Sequence, residues 1–212
     1  RRKRSIAAKV EQFSVMRALS TIERADVVVL LLDASEPAVD QDARIAGIAL
    51  EKGRALVVVV NKWDLVEGTA KASEFREELK RTMPFVGFAP IVFASALTGD
   101  HVERVLRTAG EVFEHFRARI PTPQLNDFLH TIVDAHPAPL SGGNPVRLFY
   151  IAQVGQRPPT FAITCNRPEG VTEDYKRFII NRMRESFGLK VPIRLLLRRK
   201  SKRPFVPKRE GR

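Results

Sequence analysis

Ala55-Leu56-Val57-Val58-Val59-Val60-Asn61-Lys62-Trp63-Asp64 decides how this chain is read. Six consecutive apolar residues fit a strand buried on both faces of a parallel sheet. The Asn-Lys-x-Asp that follows then stands at the mouth of that sheet, and its chemistry suits a guanine base. The Asp64 carboxylate can accept one hydrogen bond from ring N1–H and one from the exocyclic amine. Adenine puts an acceptor and a bare C–H in those places. The wrong base leaves a buried acceptor unpaired, which discriminates strongly. The Lys62 stem can lie over the base plane, and the Asn61 amide can tie loops together. The competing reading is a surface turn that happens to carry these letters.

Pro90-Ile91-Val92-Phe93-Ala94 reads as another apolar strand running into Ser95-Ala96-Leu97. Guanine O6 is an acceptor, and a small residue lets a backbone N–H approach it. Ala96 N–H is the expected donor. Alone, Ser-Ala-Leu is an ordinary strand end; with a helix between it and the Asn-Lys-x-Asp, it supports the same site. The expected base-binding set is Asn61, Lys62, Asp64, Ser95, Ala96 and Leu97.

Asp26-Val27-Val28-Val29-Leu30-Leu31-Leu32-Asp33 is a third strand, too uniformly apolar for an edge. Helical patterns at 5–24, 40–52, 72–82 and 100–119 alternate with the strands, the signature of an α/β layer fold. A guanine site normally comes with a phosphate site: a Gly-rich loop opening a helix, with Lys on the phosphates and Ser or Thr on magnesium. No Gly-x-x-x-x-Gly-Lys and no Asp-x-x-Gly occurs here, and the chain opens Arg1-Arg2-Lys3-Arg4 without Met. The expectation is a piece of a doubly wound sheet whose N-terminal, phosphate-binding half is missing. Val27–Leu32 should then present an exposed apolar edge.

The expected division is 1–120 for the partial α/β domain, 121–200 for a second domain and 201–212 for a basic tail. Pro121-Thr122-Pro123 should end the last helix of the first domain. Leu125–Ala135 reads as a helix, 137–143 as a loop, Val146–Val154 and Thr160–Asn166 as strands, Thr172–Phe187 as a helix and Val191–Leu197 as a strand. This α-β-β-α-β order, with helices on one face of a small sheet, resembles a KH-like domain. The Gly-x-x-Gly with which RNA-binding KH modules clamp a backbone is absent. Charge and shape are left as the means of contact, and the sheet could serve protein contacts instead.

The net charge of +12 is unevenly placed. Residues 1–120 hold 19 Lys/Arg against 17 Asp/Glu, whereas 121–212 hold 17 against 7. The surplus belongs to the second half and points to a polyanion, nucleic acid first among them. Arg198-Arg199-Lys200-Ser201-Lys202-Arg203 is a phosphate-seeking run; a solubilising tail is the alternative. The single cysteine, Cys165, excludes an internal disulfide and a Cys-rich metal site, and reads as an inert core residue. His101, His115, His130 and His136 show no ligand spacing. No signal peptide and no membrane-length apolar run occur, which makes cytoplasm the default.

These residues resemble a family. Lys9-Val10-Glu11-Gln12-Phe13-Ser14-Val15-x-Arg17, Ile22-Glu23-Arg24-Ala25-Asp26, Gln41-Asp42-x-Arg44-Ile45-Ala46, Val59-Val60-Asn61-Lys62-Trp63-Asp64-Leu65 and Gln153-Val154-Gly155-x-Arg157-Pro158-Pro159-Thr160-Phe161 are similar to the bacterial tandem GTPase family Der, also called EngA. The resemblance covers nearly the whole chain. It implies the rear part of a second GTPase domain followed by a KH-like domain. For the intact protein it implies GTP/GDP and Mg as cofactors, GTP hydrolysis, and a role in assembly of the large ribosomal subunit through rRNA. It also implies a monomer and contacts with the N-terminal GTPase domains of the same protein. This chain, without phosphate or magnesium ligands, is expected not to hydrolyse GTP. Two alternatives stand beside it: an RNA- or protein-binding module on a non-catalytic GTPase-like scaffold, and an Era-like GTPase. The missing Gly-x-x-Gly and the Val10–Arg17 segment count against the last.

Overall fold

The computed structural model describes residues 19–36, 40–68 and 71–200. Three parallel strands, β1 (Val27–Asp33), β2 (Ala55–Asn61) and β3 (Ile91–Phe93), lie in the order β1-β2-β3. β2 takes the centre because it is apolar on both faces: none of residues 55–60 is more than 2% exposed. Successive side chains point to opposite faces, so β2 feeds two cores. Ala55, Val57 and Val59 join Val112 and Phe116 of helix α3 (Val102–Arg117). Leu56, Val58 and Val60 join Ala46 of helix α1 (Asp40–Glu51) and Leu79 of helix α2 (Ala72–Thr82). The helical pattern at 5–24 lies largely outside the described residues, of which 19–24 are helical; the basic tail 201–212 lies outside them too.

β1 has β2 on one side and no strand among the described residues on the other. Leu30 and Leu32 are buried under α1, while Val29 and Leu31, on the opposite face, are 38% and 61% exposed. The expected unpaired edge is therefore present among the described residues, and Val29 and Leu31 expose apolar surface beside it.

The second half forms the sheet β6-β7-β8, with β6 (Leu148–Gly155) antiparallel and β8 (Arg194–Arg199) parallel to β7 (Thr160–Cys165). Helices α4 (Thr122–Ala135) and α5 (Glu173–Phe187) share one core with it: Leu125, Leu129 and Ile132 meet Ile151, Phe161, Ile163, Ile179 and Met183. Thr172 caps α5 by accepting from Tyr175 N–H at 3.3 Å, and Gly188 ends it at φ 62°.

Several expected boundaries move. α3 stops at Arg117, well before Pro121, so Pro121-Thr122-Pro123 opens α4 rather than closing α3. Proline suits a first helical turn, where its missing N–H has no intrahelical partner. The stretch 137–143 is not simply a loop: β4 (Leu140–Ser141) and β5 (Asn144–Pro145) make a hairpin around Gly142 and Gly143, both at positive φ (55° and 76°). β3 is shorter than 90–94, and after Ala94 the chain leaves the sheet, Ser95 N–H donating to Asp100 O at 3.0 Å. β8 starts at Arg194 rather than Val191; Pro192 gives no N–H to a ladder, and Val191 plugs the core instead.

The two halves meet at the N-terminal foot of the first sheet. Gln153 brackets the connecting segment, accepting from Ile120 N–H and donating to Ala118 O, each at 2.9 Å. Arg157 N–H donates to Phe116 O at 3.2 Å, and the Arg157 guanidinium lies 3.6 Å from Asp26. Gly53, at φ 70°, receives the Pro158 ring and the Arg194 guanidinium; a Cβ there would lie 3.1 Å from Pro158 and 2.9 Å from Arg194 Nη2. No helix among the described residues is long and apolar enough to cross a membrane.

Two outcomes follow from these contacts. Gly53→Ala lowers stability by about 1–3 kcal/mol, from left-handed strain and crowding against Pro158. Gly110→Ala, in an open position of α3 with nothing within 4 Å, raises it by about 0.5–1 kcal/mol. Urea denaturation of the two variants checks the contrast. Leu31→Lys, by charging the bare edge, slows concentration-dependent aggregation seen by light scattering, with the denaturation midpoint close to that of the parent chain.

Candidate guanine-recognition site

The C-terminal ends of β1, β2 and β3 converge, and parallel register does the aligning. Asp33 stands opposite Asn61, and Val60 opposite Phe93. Asn61 continues the ladder through its carbonyl, which accepts from Ala34 N–H at 2.8 Å. Its side chain turns the other way, where Oδ1 accepts from Ala96 N–H at 2.9 Å. The chain then bends at Lys62 (φ 60°, ψ 32°) into a short 3₁₀ turn, Trp63–Leu65. Trp63 N–H donates to Ala94 O at 3.1 Å. Two cross-links thus bring the 61–64 and 94–96 segments together.

Trp63 anchors this turn. Its ring packs at 4.4 Å from Phe93 and edge-on at 6.1 Å from Phe75, joining the turn to β3 and α2. Arg76 closes the cluster from above Phe93 at 5.0 Å. With the backbone so fixed, Asp64 is held half-buried, and its Oδ1 is fully buried without a hydrogen-bond partner among the described residues. An orphaned carboxylate oxygen is a costly thing to leave inside a protein, by about 1–3 kcal/mol or more.

Lys62 and Asp33 form an ion pair at 2.5 Å. The Lys62 ammonium and the Ser35 hydroxyl and N–H, the latter two at 2.6 and 2.9 Å, hold the Asp33 carboxyl down to about 2. Asp33 in turn raises Lys62. Fixing the head group on Asp33 leaves the aliphatic stem of Lys62 exposed along the mouth of the sheet. Sequence reasoning missed both Asp33 and Trp63. The first was within reach, since two apolar runs of similar length in parallel register end together at Asp33 and Asn61.

The 95–97 turn differs from expectation in detail. Ala96 N–H, expected to face guanine O6, is already engaged by Asn61 Oδ1. Ser95 is buried, and its Oγ accepts from Thr98 N–H at 3.2 Å, stabilising the turn from inside. Thr98 Oγ1 and Asp100 Oδ2, at 2.6 Å, and Gly99 at φ 85° complete a loop that closes on itself. Leu97 is 87% exposed and rims the opening. No cluster of metal-ligating side chains occurs among the described residues. Cys165 is buried, and burial pushes its thiol up, away from reactivity.

The KH-domain-like family of the C-terminal region of EngA bacterial GTPase enzymes matches residues 119–198, and the elongation factor Tu GTP-binding domain matches residues 11–135. The chain is 58% identical over 213 residues to GTPase Der of Myxococcus xanthus, a match covering 100% of this chain and 46% of that protein. The chain belongs to the Der (EngA) family of GTPases. GTPase Der of Trichlorobacter lovleyi is 45% identical over 200 residues, covering 93% of this chain and 44% of that protein. The chain spans about half the length of the curated Der relatives it matches. Among solved structures, Aquifex aeolicus Era bound to GDP and AlF4⁻ is similar at 18% identity and a TM-score of 0.37, covering 86% of this chain and 67% of that one. The Der family carries the parallel-sheet GTPase fragment and the KH-like domain seen here, and its members are GTP-binding proteins.

The ion pair generates a test. Asp33 titrates with a midpoint near 2, and Lys62→Met moves that midpoint up toward the ordinary carboxylate range; carbon-detected NMR of the Asp33 side chain reads both. The sign is that of a depressed acid. The pair's stabilisation is complete above the unfolded carboxylate pKa, about 4, and is lost as pH falls through about 2.

Proposed function

We propose that the first half selects guanine for a GTP-binding domain, and that the KH-like half contacts RNA, within a protein that hydrolyses GTP and serves assembly of the large ribosomal subunit. The observation that carries the base assignment is Asp64 Oδ1, buried and unpartnered at the mouth of the sheet. A guanine edge brings N1–H and N2–H to that carboxylate and satisfies it. Adenine brings no donor pair and leaves it orphaned. Lys62 covers one face of the ring with its stem, its charge held aside by Asp33. Asn61 positions the turn by accepting from Ala96 N–H.

The residues present fit the base of GTP but not its phosphates or magnesium. The sequence holds no Gly-x-x-x-x-Gly-Lys, and no metal-ligand cluster occurs among the described residues. The chemistry of this chain is therefore base selection, and by itself it hydrolyses no GTP. RNA contact is supported by the charge surplus in residues 121–212 and by the KH-like fold. The ribosomal role rests on family membership.

Titration of the isotope-labelled chain with GDP, ADP and XDP tests the base assignment. GDP shifts the Lys62, Trp63, Ala96 and Leu97 amide resonances, and ADP does not. Asp64→Asn exchanges an acceptor for a donor and moves preference from GDP toward XDP by about ten- to hundredfold. Equal responses to GDP and ADP, or an unchanged preference in the Asp64 variant, remove the assignment.

A further inference from the structure

We propose that the cleft between the Pro84–Phe88 segment and helix α5 binds single-stranded RNA, a nucleotide phosphate on Arg184 and its base against Phe85. This rests on the RNA reading above and names its place. The cleft measures about 730 Å³, within the range of ligand pockets. One wall is Pro84, Phe85 and Phe88; the other is Arg177, Asn181 and Arg184 of α5.

Arg184 makes this cleft unlike an ordinary seam. Its guanidinium lies over the Phe88 ring at 4.1 Å, and Nη1 donates to Asn181 Oδ1 at 3.2 Å. Its Nε is buried with no partner, and no carboxylate pairs with it among the described residues. The other charges facing the cleft are balanced on the surface: Arg177 pairs with Asp174 at 3.0 Å, and Glu185 with Arg182 at 2.9 Å. Burial alone pushes Arg184 down to about 10. A partly desolvated guanidinium with no carboxylate partner suits a phosphate.

The second feature is the aromatic rim. Phe85 is 43% exposed at the edge of the cleft. Single-stranded RNA recognition combines an exposed aromatic ring to stack a base with a guanidinium for the backbone. A cleft that works by stacking and charge needs no Gly-x-x-Gly, which this chain lacks.

Fluorescence anisotropy with a labelled pentaadenylate RNA, at one low salt concentration, tests the proposal in the full chain. Phe85→Ala and Arg184→Gln each weaken binding at least about fivefold. Phe85 is a rim residue, so its variant keeps the parent melting temperature even if Arg184→Gln loosens the seam. In the parent chain the Arg184 Nε–H resonance shifts on RNA addition. If only neutralising Lys202, Arg203, Lys208 and Arg209 weakens binding, with Phe85→Ala within about twofold of the parent, the cleft is overturned and the RNA reading stands. If the parent chain binds no RNA, both fall. If hexaaspartate shifts the Arg184 resonance and the RNA does not, the occupant is an acidic peptide and the proposal is overturned.

Discussion

The complete burial of β2 governs this structure. A strand covered on both faces and paired on both edges can present nothing to solvent except its ends. Its C-terminal end delivers Asn61, Lys62 and Asp64 to the surface, and the connection into its N-terminal end holds Gly53, against which Pro158 and Arg194 pack. At about 3.3 Å per residue the two ends stand roughly 20 Å apart. The proposed base site and the docking contacts therefore occupy opposite ends of one rigid element. The Gln153–Pro159 motif serves the docking end: its side chains and backbone bind the last turn of α3 and the segment after it.

Much of this was legible in the sequence because burial writes itself into composition. The apolar runs at 27–32 and 55–60 identified the strands, and their uniformity identified a parallel sheet. The bare edge of β1 followed from counting the strands that remained. What was not legible depended on backbone direction. Nothing in Ser-Ala-Leu says that Ala96 N–H meets Asn61 before it meets a base. That bond depends on where the Asn61 side chain points after a left-handed bend at Lys62. Pro121-Thr122-Pro123 shows the same ambiguity. Proline excludes itself from a helix interior but is at home at either side of a helix end, so the letters alone cannot say which helix it borders.

The proposed base site is held rigid by its own contacts. Trp63, Phe75 and Phe93 lock the 3₁₀ turn, Asn61 locks the turn opposite, and Asp33 holds the Lys62 charge to one side. Flexible side chains would lose entropy on binding, and these have already lost it in folding. In the proposed site, specificity is then a property of the rigid surround as much as of the carboxylate. A mobile Asp64 would turn to water and reject adenine only weakly.

Two of the contacts between the halves are unequal. At the foot of the sheet, backbone hydrogen bonds and the packing of Pro158 against Gly53 hold the KH-like half. On the flank, the contact is Arg184 over Phe88. A cation–π contact of this kind is worth about 0.5–2 kcal/mol, less than the several bonds at the foot together. An anion that draws the Arg184 fork outward competes with Phe88 for the same cation. Ligand in the cleft and orientation of the halves then draw on one side chain, and Phe88 lies in the short segment that leads from α2 into β3 and on to Ser95 and Ala96.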